Sequence, residues 1–352
     1  MSIASGKCIG IRVDANDTIA TGHVMRCLSI ADALHGVGKE CVFIVADENS
    51  ARVAERGGYK GAVLHTRWDD MQSEVDVLAE TLRLYNVGML LVDSYAVTTN
   101  YLQRLRALAK TAYMDDLNAF VYPVDMLINY NIYAGLFDYQ GRYPRTELLL
   151  GCAFAPLRVE FSGVQPKLRE KVSKVLVTMG GADPMNATGR LLNALVPRFE
   201  GVEFHVIVGR LNANEAMLKA LTDEHPGIVL HKDVRRMSDL MLGCDAAVTA
   251  GGTTLYELCA CGLPSVTVAI ADNQLYAVRE FERVGLMPCA GDLREDEAGC
   301  FAALGSLLGK YIGDTTLRRD VSAKMRTLVD GDGAARVARA IADLCEEEER
   351  QK

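Results

Sequence analysis

The sequence predicts an α/β protein built from two doubly wound parallel sheets. Short apolar runs alternate with stretches whose apolar residues recur at helical spacing, the pattern of parallel sheets covered by helices. That alternation fills the first half, breaks at a stretch holding Pro156, Gly163 and Pro166, and then restarts. The chain of 352 residues is also about twice the length of one ordinary domain, ~150 residues. The expected division is a first domain over 1–155, a connection over 156–170 and a second domain over 171–352.

In the first half, uninterrupted apolar runs predict strands at 8–13, 41–46, 62–65, 89–92, 111–114 and 126–128. Helical spacing predicts helices at 24–35, 73–85 and 100–110; in the first of these Val24, Cys27, Leu28, Ala31 and Leu34 form one stripe. The second half repeats the scheme, with strands at 174–178, 203–208, 228–231, 246–249 and 265–268. Its helices are expected at 187–197, 214–222, 237–242, 255–261, 274–284, 316–330 and 334–348. Two open sheets joined by one connection place a ligand cleft between them.

Composition narrows the function. Apolar residues make up 49% and charged residues 24%, the balance of a globular protein with a sizeable core. Lys plus Arg number 38 against 46 Asp plus Glu, a net charge of −8, which argues against a nucleic-acid partner. A small phosphorylated ligand held by backbone amides remains compatible with that charge. No run reaches the ~20 apolar residues of a membrane span, and residues 1–7 lack the pattern of a signal peptide. A cytoplasmic protein with no membrane partner is expected. The ten cysteines, including Cys259-x-Cys261, lack redox or zinc spacing and read as reduced buried thiols. The six histidines do not pair at i,i+3 or i,i+4, so neither a metal nor another cofactor is expected.

In open α/β sheets ligands bind at the carboxyl ends of strands, so strand-to-helix turns are where chemistry is sought. The turn from Asp14 to Arg26 carries Thr21-Gly22-His23. His23 falls in the first turn of a helix, where the dipole favours a neutral imidazole competent as a general base, although a plain helix-start residue fits as well. Thr178-Met179-Gly180-Gly181-Ala182-Asp183-Pro184-Met185-Asn186 and Thr249-Ala250-Gly251-Gly252-Thr253-Thr254-Leu255-Tyr256-Glu257 each run from a strand through two glycines into a helix. Such starts offer amides to phosphate, and Glu257, four residues after Thr253, suits the two hydroxyls of a ribose. Neither is a Walker loop, because no Gly-Lys-Ser/Thr follows. Asp93, in Val92-Asp93-Ser94-Tyr95, and Asp115, in Asp115-Asp116, each close a strand, and both a ligand-facing and a helix-capping role are open to them. Ala271-Asp272-Asn273-Gln274 opens a later helix and adds polar groups to that wall.

Taken together, these motifs resemble a known family. Ile11-Arg12-Val13-Asp14 with Thr21-Gly22-His23-Val24-Met25-Arg26-Cys27-Leu28, then Val92-Asp93-Ser94-Tyr95, Met114-Asp115-Asp116-Leu117, Leu157-Arg158-Val159-Glu160-Phe161 and the two glycine turns are similar to the UDP-2,4-diacetamido-2,4,6-trideoxy-β-L-altropyranose hydrolases of pseudaminic acid biosynthesis. That family includes relatives in spore-coat polysaccharide synthesis. The resemblance implies the GT-B architecture of MurG-like glycosyltransferases, with two Rossmann-like domains. It implies His23 as the catalytic base, with Asp93 and Tyr95 positioning His23, the water or an acetamido group. It puts Asp14, Gly22 and Arg158 on the substrate, and Gly180, Gly181, Asn186, Gly251, Gly252, Thr253 and Glu257 on the UDP. Val234 and Met237 meet the uracil, and Asn273 and Gln274 the sugar and diphosphate. Two departures, Ala20 where the family more often has Gly, and Phe154-Ala155-Pro156-Leu157-Arg158 in place of Tyr-Ala-Leu-Leu-Arg, fall near the expected sugar pocket.

The reaction expected is attack of water on the anomeric carbon with inversion and loss of UDP. The rivals are an inverting glycosyltransferase of the same architecture, a UDP-sugar 2-epimerase and a non-catalytic nucleotide-sugar-binding protein.

Overall fold

A strand whose residues are nearly all apolar is stable only when both faces are covered, and a parallel sheet flanked by helices meets that condition. The computed structural model describes residues 7–15 and 22–351. Expectations for residues 1–6 and for the turn 16–21, which holds Ala20 and Thr21, lie outside the described residues.

The chain divides into two units, one of Met1–Val159 with Asp332–Lys352 and one of Glu160–Gly331. The first holds β1 (Cys8–Val13), β2 (Cys41–Val45), β3 (Lys60–Val63), β4 (Val87–Asp93), β5 (Lys110–Met114), β6 (Met126–Asn129) and β7 (Glu147–Leu150). They form one parallel sheet in the order β3-β2-β1-β4-β5-β6-β7. The second holds β8 (Lys174–Thr178), β9 (Glu203–Val208), β10 (Ile228–Lys232), β11 (Ala246–Ala250), β12 (Ser265–Ala269) and β13 (Cys289–Asp292), again all parallel, in the order β10-β9-β8-β11-β12-β13.

The unit boundary differs from the expected one at the C terminus. The helix Gly333–Gln351 belongs to the first unit and packs against the helix Gly22–Gly36. Val337, Ala338, Ile341, Ala342 and Cys345 are buried and recur at helical spacing. Lys39 pairs with Glu346 at 3.0 Å, and Arg336 donates to the Ala153 carbonyl at 2.8 Å. Periodicity identifies such a helix but carries no information on which sheet it covers.

Two helices and two strands are among the elements absent from the expected list. The helix Glu48–Arg56 buries only Ser50, Ala51 and Ala54, too weak a stripe to stand out, and is fixed by Asp47 accepting the Ser50 N–H at 2.8 Å. β7 and β13 have four residues each and lie at sheet edges. The helix Glu297–Gly313 is interrupted by Gly299, Gly305 and Gly309, and Asp296 caps its start.

Beneath the first sheet's apolar core lies one charged group. Arg12 on β1 is fully buried and donates through Nε and Nη2 to the two oxygens of Glu74, each at 2.7 Å, and through Nη1 to Asp14 at 2.5 Å. Tyr101 adds a hydroxyl donor to Glu74 at 2.7 Å. Buried ions are tolerated only when paired and hydrogen-bonded in this way.

Candidate active site

A doubly wound sheet opens a crevice where its strand order reverses, at the carboxyl ends of the two strands on either side. In the first unit that point lies between β1 and β4, and in the second between β8 and β11. Some of the expected site residues stand at these two points. His23 starts the helix after β1 and Asp93 ends β4. The turn Gly180-Gly181 follows β8, and Gly251-Gly252 follows β11.

His23 is the second residue of the Gly22–Gly36 helix, and its Nδ1 lies 2.6 Å from Asp93 Oδ1. An ionised carboxylate only accepts, so in the neutral ring the tautomer that suits this contact carries its proton on Nδ1 and its lone pair on Nε2. Arg26, one turn along the same helix, grips both Asp93 oxygens, Nε to Oδ2 at 2.7 Å and Nη2 to Oδ1 at 2.6 Å. The same guanidinium donates to Asp116, at 3.0 Å from both Nη1 and Nη2, and to the Tyr130 hydroxyl at 3.0 Å. Asp116 also accepts from the Tyr95 hydroxyl and from Asn131 Nδ2, both at 2.8 Å. The Tyr95 ring meets the His23 ring edge-on, with centroids 4.8 Å apart. Burial alone would raise Asp93, but Arg26 and then His23 hold it well below the usual carboxylate range. Burial likewise favours loss of the Arg26 proton, while Asp116 and Asp93 hold it firmly charged.

A carboxyl group held below its unfolded value contributes stability that is present above the unfolded pKa, ~3.9, and is lost as pH falls through the folded one. The part of the stability difference between the wild type and Asp93→Asn that comes from the Asp93 charge is therefore expected to be full above about pH 4 and to shrink below it. Urea unfolding across that range measures it.

Asp115, the other strand-closing acid, takes the structural role. It accepts the N–H groups of Leu117 and Asn118 at 2.9 Å, the Tyr122 hydroxyl at 3.0 Å and the Tyr139 hydroxyl. Asp14 is corrected in the same sense. Its oxygens bond Arg12 and the Ala46 N–H at 2.7 Å, and it is buried, so the charge expected on substrate is engaged inside the fold. Arg26 and Asp116 are the residues that sequence reasoning passed over. Both stood in the quoted motifs, but only tertiary structure brings positions 26, 93 and 116 together.

The two glycine turns of the second unit differ in what they offer. Gly180 has φ +89°, a conformation that favours glycine, and a Cβ on Gly209 would lie 2.1 Å from the Gly181 carbonyl oxygen. Asp183 accepts the N–H groups of Ala187 at 2.7 Å and Thr188 at 2.9 Å, so the start of the helix Ala187–Leu195 is already capped by a carboxylate. This corrects the expectation of free amides there. Asn186, at φ +50°, keeps a buried Oδ1 without a hydrogen-bond partner.

After β11 the arrangement is more open. Gln274 accepts the N–H groups of Gly251 at 3.3 Å and Ile270 at 3.0 Å, which ties the turn to the segment after β12. Gly252 and Thr253 are exposed, and the helix Thr254–Cys261 starts with no side-chain cap. The N–H groups of Gly252, Leu255 and Tyr256 bond the carbonyls of Ala250, Gly252 and Thr253 at 3.0, 3.1 and 3.1 Å, so among the described residues those of Thr253 and Thr254 are the ones left to an anion, and with no carboxylate cap this is the better seat. Glu257 is half-buried one turn on; Val234 and Met237 are half-buried after β10; Asn273 is exposed beside Gln274. Arg158 is half-buried, at the end of the first unit's main segment, and the structure assigns it to neither turn. Gly22 opens the His23 helix, and a Cβ there would meet nothing within 4 Å among the described residues.

Among the described residues, no group of three or more His, Cys, Asp or Glu is placed to hold a metal ion, and no helix is long and apolar enough to cross a membrane.

Among solved structures, MurG of Acinetobacter baumannii matches with a TM-score of 0.71, over 96% of this chain and 99% of that one, at 13% identity. The fold is GT-B. No family model matches the sequence. Spore coat polysaccharide biosynthesis protein SpsG of Bacillus subtilis is 23% identical over 97% of this chain and 99% of its own length. The UDP-2,4-diacetamido-2,4,6-trideoxy-beta-L-altropyranose hydrolase of Campylobacter jejuni is 24% identical over 70% of this chain and 85% of its own. The chain spans 47% of a Helicobacter pylori relative whose name joins that hydrolase to a pseudaminic acid cytidylyltransferase. This GT-B chain thus resembles the altropyranose hydrolases in sequence and MurG in architecture.

Proposed function

We propose that the chain is an enzyme acting on UDP-sugars, and that it hydrolyses a UDP-linked 2,4-diacetamido-2,4,6-trideoxy hexose in the synthesis of pseudaminic acid or a related surface glycan. The observation that carries this reading is the Asp93-backed His23, whose Nε2 bonds no other described residue, at the switch point of the first sheet. Such a base takes a proton from water while the water oxygen bonds the anomeric carbon. The bond from that carbon to the β-phosphate oxygen breaks, UDP leaves with the electron pair, and configuration inverts. Asp93 stabilises the imidazolium formed. The turn after β11 supplies oriented amides to the diphosphate, where charge develops.

Likeness to MurG in fold supports a second reading, an inverting glycosyltransferase in which His23 activates an acceptor hydroxyl instead of water. Incubation with a panel of UDP-, GDP- and CMP-linked diacetamido sugars, without acceptor, separates the two. Release of UDP with a free sugar of inverted configuration in the product NMR supports the hydrolase; intact substrate that is consumed only when an acceptor is added overturns it.

The diphosphate seat makes its own prediction. A Cβ at Gly252 meets nothing within 4 Å, whereas one at Gly251 lies 2.5 Å from Val278 Cγ1 and 2.9 Å from Gln274 Cβ. Gly252→Ala is expected to keep the wild-type melting temperature and weaken UDP binding about tenfold, since a methyl there stands between the ligand and the amides. Gly251→Ala is expected to cost about 1–3 kcal/mol of stability as well, through overpacking. Calorimetric titration with UDP and thermal melts read both.

A further inference from the structure

A carboxylate that supports a histidine base normally lends it a full negative charge, yet here Asp93 is gripped by a buried arginine. Arg26 and Asp93 cancel, so as a pair they present no net charge to a proton arriving on His23. Asp116 alters that balance. Arg26 Nη2 lies 3.2 Å from His23 Nδ1 and 3.0 Å from Asp116 Oδ2, which puts the third charge within about 6 Å of the ring, inside the range where ionic neighbours shift titrations. We infer that Asp116 is a positioning residue that offsets the buried charge of Arg26 and so leaves Asp93 able to stabilise the imidazolium of His23. Its own surroundings fit the role: Tyr95 and Asn131 donate to it, and with Arg26 they hold it in place and ionised. The other polar groups of the network are the Tyr130 hydroxyl, on Arg26, and the Cys27 thiol, which donates to Asp93 Oδ2 at 3.5 Å. Both are neutral, since burial raises each of them. Among the described residues, Asp116 is therefore the only further charge bonded directly to Arg26, Asp93 or His23.

The inference rests on the proposed role of His23, but its first test needs no substrate. In NMR titrations of the full-length protein with labelled histidine, Asp116→Asn is expected to move the His23 resonances to titrate about one pH unit lower, a tenfold loss of proton affinity. Asp116→Glu is expected to titrate as the wild type. Asp116→Ser, which keeps a hydroxyl for Arg26 but no charge, covers the case in which the asparagine variant does not fold and is expected to shift like it. On the UDP-sugar found active, the neutral variants should lower kcat about tenfold with little change in KM, and the acid limb of the kcat/KM profile should move by the same unit. A folded Asp116→Asn whose His23 titrates as the wild type overturns the inference. A wild type that turns over no UDP-sugar overturns the hydrolase reading and leaves the NMR result standing.

Discussion

His23→Ala is expected to lower turnover of the UDP-linked sugar by about 10²–10⁴-fold with KM little changed, the usual contribution of a positioned general base. The reason lies in the tautomer. Asp93 holds the proton on Nδ1, so removing the ring removes the only lone pair that the dyad presents. Asp93→Asn is expected to fall in the same range, because an amide nitrogen can donate to Nδ1 and leave the proton on Nε2, where it blocks the base. The double variant should be little worse than either single one, since the two residues act as a unit. Single-turnover rates with saturating substrate measure all three. A His23→Ala protein at the wild-type rate ends the assignment.

The second large effect is on stability. Glu74→Ala is expected to destabilise the first unit by about 3–5 kcal/mol, the cost of leaving a buried charge without its partner. Arg12 loses two of its three carboxylate bonds, and Tyr101 loses its acceptor. Asp14 remains on Nη1 but cannot replace the fork. The exposed pair Lys232–Glu215, at 2.6 Å, is the control, and Glu215→Ala there should leave stability almost unchanged. Urea unfolding compares the two variants.

These networks mark how far the sequence could be read. Parallel architecture was legible because a strand such as Val87–Asp93, buried on both faces, leaves an unbroken apolar run, and because each helix-facing stripe repeats at its own period. The position of His23 and of the glycine turns was legible for the same reason, since both sit where a strand pattern gives way to a helical one. Which carboxylate does which work was not. Asp14, Asp93, Asp115 and Asp116 look alike in sequence, each at or just after a strand end, and they part company through partners farther off in the chain: Ala46, His23, Tyr139 and Arg26. The capping of Ala187 and Thr188 by Asp183 was within reach, because an Asp ahead of a helix start is a local signal.

The return of residues 332–352 to the first unit bears on how the chain is made. The second unit is one continuous stretch and can complete itself on the ribosome as soon as it has emerged. The first unit, though synthesised earlier, must wait with one face of the Gly22–Gly36 helix uncovered until the helix Gly333–Gln351 has emerged to pack on it. For these two units, synthesis order and completion order are thereby reversed.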